Sequence, residues 1–374
     1  MAQSRYSRQI AFYGIGSEGQ DKLLNSTVAI VGVGALGTVL ANILCRSGIG
    51  RLKLIDRDYV EFTNLQRQIL FTEDDAIKYR AKSIAACDFL SKVNSEIKIE
   101  PIVTELNAGN IDNILNNVTL ILDAVDNWET RFLINDWSVK NKTAWIYAAA
   151  LGSQGMTMNF RYNNSDNSIN SINSANSTNS INSTTNIYET NNIGLGQSVY
   201  PCLRCFVPSD QYQSQQPTCA TAGILAMTTS SIASIQAAEA VKIILNSPDI
   251  RDGLLTIDLW NNRFKNIKIE HDPNCQVCVH GNFEYLSYNA GMKVQKICGR
   301  NSIQISPESQ TEINLESFAA TLANIGQVEA NQYMLIFSNE EYQFVLFKDG
   351  RAIIENAKNE FHAKTIYNEF IGLR

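Results

Sequence analysis

The chain has 374 residues, enough for one large domain with an extension or for two modest ones. Hydrophobic residues make up 44% and charged residues 18%, with 7 Pro and 21 Gly, which excludes a collagenous, mucin-like or wholly disordered chain. A net charge of −6 gives no global positive field to draw the protein to nucleic acid or to an anionic membrane.

At the N-terminus Arg5 and Arg8 lead into a short, glycine-broken stretch, Ile10 to Gly16, and not into a secretory apolar segment. Eight cysteines are too sparse for a disulfide scaffold in a chain this long, so the protein reads as cytoplasmic. A helix is expected near Ser17 to Leu24. Thr27 to Val33 is an apolar run ending in glycines, the profile of a strand buried on both faces. Helix Ala35 to Arg46, strand Arg51 to Ile55, helix Arg80 to Lys92, strands Ile97 to Val103 and Val118 to Leu122, helix Glu129 to Lys140 and strand Ala144 to Ala149 follow. This alternation predicts an α/β fold with a doubly wound, Rossmann-like, mainly parallel sheet, its ligand site at the carboxyl ends of the strands. Two uncharged stretches, Val28 to Cys45 and Cys219 to Ala238, approach membrane-spanning length, but glycines divide the first and Thr and Ser fill the second, so both read as buried soluble structure.

From Asn163 to Asn186 the composition shifts to 9 Asn and 7 Ser in 24 residues, too polar to offset its chain entropy by burial. A disordered insertion over 163–193 is expected, in a surface loop between two strands. Thr221 to Leu245 reads as a long helix, followed by strands Leu254 to Leu259 and Arg263 to Ile269. The remainder predicts a small α+β appendage, with a meander of Tyr333 to Phe337, Gln343 to Phe347 and Arg351 to Ile354 and a closing helix near Lys358 to Phe370. The expected division is 1–285 and 286–374.

Gly32-x-Gly34-x-x-Gly37 follows a strand and opens a helix, and Asp56 closes the next strand 19 residues beyond Gly37. Glycines allow the tight turn and close approach to phosphate, the helix N-terminus supplies amide donors, and the acid accepts from ribose hydroxyls. The pattern points to an adenine nucleotide without separating a dinucleotide from ATP. Cys202-x-x-Cys205 and Cys275-x-x-Cys278 are two knuckles that close a tetrahedral zinc site; four sulfurs leave no open position, which makes the zinc structural. Two unrelated pairs or a redox disulfide are the alternatives. Arg67, in Asn64-Leu65-Gln66-Arg67-Gln68, and Lys82 supply the cations that a carboxylate attacking an α-phosphate needs, and Asp126, beside Asn127, supplies a carboxylate for magnesium.

Taken together, Arg5-Tyr6-Ser7-Arg8-Gln9, the Gly32 to Gly37 loop, Asp56, Asn64 to Gln68, Lys82, Asp126-Asn127 and both cysteine pairs make the chain resemble the ThiF/MoeB family of sulfur-carrier-protein adenylyltransferases, relatives of the ubiquitin-activating enzymes. The resemblance covers about residues 4 to 280 apart from the insertion. The appendage, with Cys298-Gly299-Arg300-Asn301, is similar to that of bacillary ThiF-type thiazole-biosynthesis proteins.

The resemblance implies that ATP adenylates the C-terminal Gly-Gly of a ubiquitin-like sulfur carrier, ThiS-like or alternatively MoaD-like, with a persulfide donor supplying sulfur afterwards. It also implies a homodimer in which Arg8 reaches the partner's nucleotide. By position Gly32, Gly34, Ala35 and Gly37 would cradle the nucleotide, with Asp56 on ribose, Asn64, Arg67 and Lys82 on phosphates, Asp126 on the magnesium and Asn127 among the nucleotide-binding residues. Ala35 stands where many relatives carry glycine, and Arg80 rivals Lys82. Cys219, read as the opening of the long helix, is either a thiol that joins the carrier through sulfur or a small packing residue. Two other classes compete: a nicotinamide- or flavin-dependent oxidoreductase, which leaves Arg67, Lys82 and the knuckles unexplained, and a non-enzymatic adaptor.

Overall fold

The computed structural model describes residues 5–162, 200–207, 223–287, 293–296, 302–307 and 312–372. The Asn/Ser insertion, Cys219 and Cys298 to Asn301 lie outside the described residues.

After helices α1 (Ser7–Ile10) and α2 (Gly16–Leu24), strand β1 (Thr27–Val31) enters the sheet and helix α3 (Ala35–Ser47) leaves it. Strand β2 (Arg51–Asp56), helices α4 (Glu73–Ile77) and α5 (Lys82–Val93), and strand β3 (Lys98–Val103) complete the first half. Helix α6 (Ile111–Leu115), strand β4 (Leu120–Asp123), helix α7 (Trp128–Asn141) and strands β5 (Trp145–Leu151) and β6 (Gln154–Phe160) follow. Helix α8 (Ala226–Leu245) and the hairpin of β7 (Leu254–Asp258) and β8 (Arg263–Ile267) finish this sheet, whose order is β3-β2-β1-β4-β5-β6-β7-β8. The pairs among β1 to β5 are parallel and those from β5 to β8 antiparallel, which is the expected doubly wound arrangement.

Alternation along the strands divides the core between two faces. Val28, Ile30, Leu52, Leu54, Leu120 and Leu122 pack with residues of α3, α5 and α8. Ala29, Val31, Ile121, Trp145 and Tyr147 pack on the other face with Ile111 and Leu115 of α6 and Phe132 and Trp137 of α7. Among the described residues no helix is long and apolar enough to cross a membrane. The stretch Val28 to Cys45 resolves into strand, turn and helix, as its glycines imply.

A second, antiparallel sheet has the order β11-β12-β13-β14-β10-β9. Its strands are β9 (Lys293–Lys296), β10 (Ser302–Ser306), β11 (Gln327–Ala330), β12 (Met334–Ser338), β13 (Gln343–Phe347) and β14 (Ala352–Glu355). Helix α9 (Glu284–Ser287) precedes the sheet, and helices α10 (Leu315–Leu322) and α11 (Glu360–Phe370) cover one face, where Leu335, Phe337, Phe344, Leu346 and Ile354 meet Leu315, Ile366 and Tyr367. The alternate side chains Met334, Val345, Phe347 and Ile353 project the other way and share a buried cluster with Tyr59, Ala81, Tyr79 and Ile84. The second sheet therefore seats itself on the loop leaving β2 and on the start of α5.

Three boundaries differ from expectation. The long helix begins at Ala226, not Thr221, because residues before it are held extended: Gly152 N donates to Gly223 O at 3.0 Å and Leu225 N to Gly152 O at 3.1 Å. Helix α5 starts at Lys82, since Val60 N takes Arg80 O and Tyr59 bridges Ala81, which draws residues 80–81 into an extended pairing. The insertion follows a strand, β6, but the next described residues, Tyr200 to Val207, carry the first cysteine knuckle and no strand.

Candidate active site

The carboxyl ends of β1, β2 and β4 meet at the point where the chain order reverses across the sheet, the crevice in which open α/β sheets bind ligands. The glycine loop turns there. Gly32 adopts φ +93°, and a Cβ on it would stand 2.5 Å from Ala124 O of the loop after β4. Gly37 lets α3 close on that turn, because a Cβ there would meet Gly32 O at 1.9 Å. Gly34 caps α3 and Ala35 is its first residue, so the first amides of this helix face the crevice.

Asp56 ends β2 and is locked beneath the loop. Its Oδ2 accepts from Val33 N at 2.6 Å and its Oδ1 from Asp58 N at 2.7 Å. Burial raises its pKa, and Lys82 opposes that rise most strongly. Lys82, itself buried at the N-terminus of α5, holds Asp58 Oδ2 at 3.0 Å. The rival Arg80 is committed elsewhere: it pairs with Asp75 Oδ1 at 2.8 Å and with Asp88. Asn64 is buried, its Oδ1 taken by Glu61 N at 3.1 Å in the turn that carries Arg67, and Arg67 donates to Thr63 O at 2.7 Å. Gln68, on the same turn, lies beside Gly34 with a buried amide oxygen that has no partner in the structure.

Asp126 is exposed in the loop between β4 and α7, and Asn127 caps α7 by accepting from Thr130 N at 2.9 Å. The loop is braced from within by Arg131, which pairs with the buried Asp123 at 3.1 Å and donates to Val125 O at 2.7 Å and Ala148 O at 3.2 Å. Asp58 and Arg131 were not among the residues picked out from the sequence, and Gln68 entered only as the end of the Asn64 to Gln68 segment. The acid pair Asp56-x-Asp58 was a visible signal; Arg131 had none, because its role depends on an aspartate in a strand.

Arg8 sits elsewhere. Its neighbour Gln9 donates to Ser47 O, the last residue of α3, at 2.8 Å. Helix α3, thirteen residues long and ending at Ser47, places this contact about 20 Å from the glycine loop, far compared with the length of an arginine side chain.

The four cysteines do come together. Cys202 Sγ lies 3.6 Å from Cys275 Sγ, Cys205 Sγ 3.6 Å from Cys278 Sγ, and Cys202 Sγ 4.0 Å from Cys205 Sγ. A tetrahedron with Zn–S arms of about 2.3 Å has edges of about 3.8 Å, whereas a disulfide needs about 2.05 Å, so the cluster fits zinc and not a pair of disulfides. His271 Nε2 approaches Cys278 Sγ at 3.5 Å but is not needed to complete the set. The first knuckle hangs on α7, where Asn135 Oδ1 accepts from Leu203 N at 2.9 Å, and Asp136 Oδ2 of the same helix accepts at 3.0 Å from Tyr285 N of α9, which follows the second knuckle.

The model of the ThiF family matches residues 6–277, which contain the glycine loop, Asp56, Lys82, Asp126 and three of the four cysteines. The chain belongs to the ThiF family. A sulfur carrier protein ThiS adenylyltransferase of Bacillus subtilis is 35% identical over 372 residues, covering 98% of this chain and 99% of that one, so the likeness extends through the second sheet. The SAMP-activating enzyme E1 of Haloferax volcanii is 30% identical across 74% of this chain and 89% of its own. Among solved structures, Escherichia coli MccB superposes with a TM-score of 0.57 at 24% identity over 74% of this chain and 73% of that one, a likeness of fold. The ThiF-type site and the second sheet thus occur together in this chain.

Proposed function

We propose that this protein is an ATP-dependent adenylyltransferase that activates the C-terminal Gly-Gly carboxylate of a ubiquitin-like sulfur carrier, ThiS-like and serving thiazole formation in thiamine synthesis. The observation that carries the reading is the convergence of the glycine loop, Asp56, Lys82 and Asp126 at the ends of β1, β2 and β4 in a ThiF-family chain. The 35% identity to a ThiS adenylyltransferase along nearly the whole length supports this carrier over a MoaD-like one.

In this reading the first amides of α3 and the glycine loop face the phosphates, and Asp56, fixed by two backbone donors, accepts from the ribose hydroxyls. A carrier carboxylate oxygen attacks the α-phosphorus, the bond from that phosphorus to the bridging oxygen breaks, and pyrophosphate leaves. Negative charge grows on the phosphoryl oxygens and on the leaving group. Lys82, at the N-terminus of α5, and Arg67, on the turn that Asn64 shapes, are the cations that would stabilise that charge more in the transition state than in the ground state. Asp126, an exposed carboxylate at the strand end, fits the habit of magnesium of taking one or two protein carboxylates together with substrate phosphates. Bound there, magnesium would neutralise phosphate charge; Asn127 holds the adjoining helix start.

Because each chain's Arg8 lies far from its own glycine loop, we assign it to the nucleotide of a partner copy in a homodimer. The four cysteines hold structural zinc, residues 1–285 form the adenylation unit and 286–374 the appendage, a persulfide donor protein acts after activation, and the setting is the cytoplasm. Cys219 stays a candidate for carrying sulfur.

The test is ATP–pyrophosphate exchange with magnesium and a carrier ending in Gly-Gly. The expected result is exchange that depends on the carrier and is lost at least a hundredfold in Asp126→Ala. Near-normal exchange in that variant, or a thermal shift from NAD with none from ATP, would overturn the assignment.

A further inference from the structure

Arg57 immediately follows the ribose-facing Asp56 and points sideways along the carboxyl edge of the sheet. Its NH1 pairs with Glu105 Oε1 at 2.5 Å, beyond the end of β3, and its Nε lies 3.9 Å from Asp58 Oδ1. Burial works against its charge, yet the surrounding carboxylates of Glu105, Asp58, Asp126 and Asp56 outweigh that and hold the guanidinium above its ordinary range. One side chain therefore feels the acid at the ribose, the acid paired with Lys82, and the acid offered to magnesium.

What fixes Arg57 comes from the second sheet. Glu105 Oε2 accepts from Gln304 Nε2 at 3.0 Å and from Ser306 Oγ at 3.2 Å, both on β10. Arg351, at the start of β14, donates from NH2 to Arg57 O at 3.4 Å. The apolar cluster of Tyr59 and Ala81 with Met334, Val345, Phe347 and Ile353 seals the same junction. Two side chains of the appendage thus set one carboxylate oxygen of Glu105, and the other oxygen sets Arg57.

We propose that Arg57 is a positioning residue of the nucleotide site, a fixed counter-charge to Asp56, Asp58 and Asp126, and that the second sheet sets nucleotide affinity by holding it through Glu105. The proposal rests on the ATP reading of this site. ATP brings several negative charges to an edge that already carries three aspartates, and Arg57 offsets them. A fixed cation close to Asp126 also repels a divalent ion that arrives without nucleotide, so metal and nucleotide would enter together.

Charge and placement have separable signatures. Removing the cation should move the affinities for an anion and for a cation in opposite directions, which general damage to the fold would not do. The experiment uses the full chain and measures ATP by equilibrium titration and Mn2+ alone by paramagnetic resonance of the free ion. In Arg57→Gln the ATP Kd should rise roughly tenfold while Mn2+ alone binds several-fold tighter. Arg57→Lys should restore Mn2+ binding to near the parent value. In Gln304→Ala with Ser306→Ala, which touches only the second sheet, the ATP Kd should rise roughly threefold with Mn2+ binding unchanged, since no charge is removed. Unchanged ATP affinity in Arg57→Gln, or parallel loss of ATP and Mn2+ affinity, overturns the role of Arg57. Unchanged ATP affinity in the double variant overturns the coupling to the second sheet. If the parent protein itself fails to bind ATP, it is the adenylyltransferase reading that falls.

Discussion

The carboxyl group of Asp136 is enclosed within α7, accepting from Tyr285 N at 3.0 Å and from the Asn135 amide at 3.4 Å. Burial raises its pKa to about 6, against the partial relief of those hydrogen bonds and of Arg204. A carboxyl whose folded pKa lies above its unfolded value stabilises the protein fully below about pH 4 and loses that contribution as pH rises through about 6. Asp136→Asn keeps an acceptor for Tyr285 N and cannot ionise. It should be more stable than the parent at pH 8, by up to about 2 kcal/mol, with the gap closing toward pH 4. Urea unfolding across that range measures the gap, and a gap independent of pH would show that Asp136 does not titrate as described. At this scale the sequence was legible only where chemistry comes with local spacing. Asp56 and Lys82 could be placed by their positions after a strand and before a helix, but Arg57, Arg131 and Asp136 owe their roles to Glu105, Asp123 and Tyr285, partners that no local pattern announces.

Periodicity marked the elements of the nucleotide-binding half because each is long, apolar and bounded by glycine or a capping residue, as at Gly34 and Asn127. It failed where the pattern is weak. Strand β6 carries Gly155, Met156 and Met158, poor strand formers by composition, and is held by pairing with β5 and β7 and by Gly155 packing under Ile232. Strands β10 and β11 are short and partly polar, and derive their order from the sheet they join. The cysteine knuckles were legible outright, since two Cys-x-x-Cys pairs specify a site without knowledge of the fold between them. Their fit to zinc predicts one zinc per chain, retained through purification and lost in Cys275→Ser. As Asn135 fastens the first knuckle to α7 and Asp136 fastens the helix that follows the second, the variant should melt several degrees lower, while ATP still raises its melting temperature because α3 and the glycine loop are untouched. Metal analysis showing a full complement of zinc in Cys275→Ser would remove it from the ligand set.

At the scale of the whole molecule, seating of the second sheet against the nucleotide loops was beyond sequence reasoning, because the contact between Gln304 and Glu105 spans 199 residues. The proposed role of Arg8 also belongs to this scale. Gln9 ties α1 to Ser47, and the length of α3 carries that contact about 20 Å from the glycine loop, which supports the proposal that the arginine of one copy serves the site of another. A symmetric dimer would then exchange arginines reciprocally, each site combining its own Asp126 with the partner's Arg8. Two inactive homodimers, Arg8→Ala and Asp126→Ala, should therefore complement each other. In a mixed dimer one site has both residues intact and the other has neither. After random exchange of equal amounts about half the dimers are mixed, so pyrophosphate exchange should recover to about one quarter of the parent rate. If Arg8 served its own site, every site in the mixed dimer would lack one residue and no activity would return; measuring exchange before and after subunit mixing separates the two arrangements.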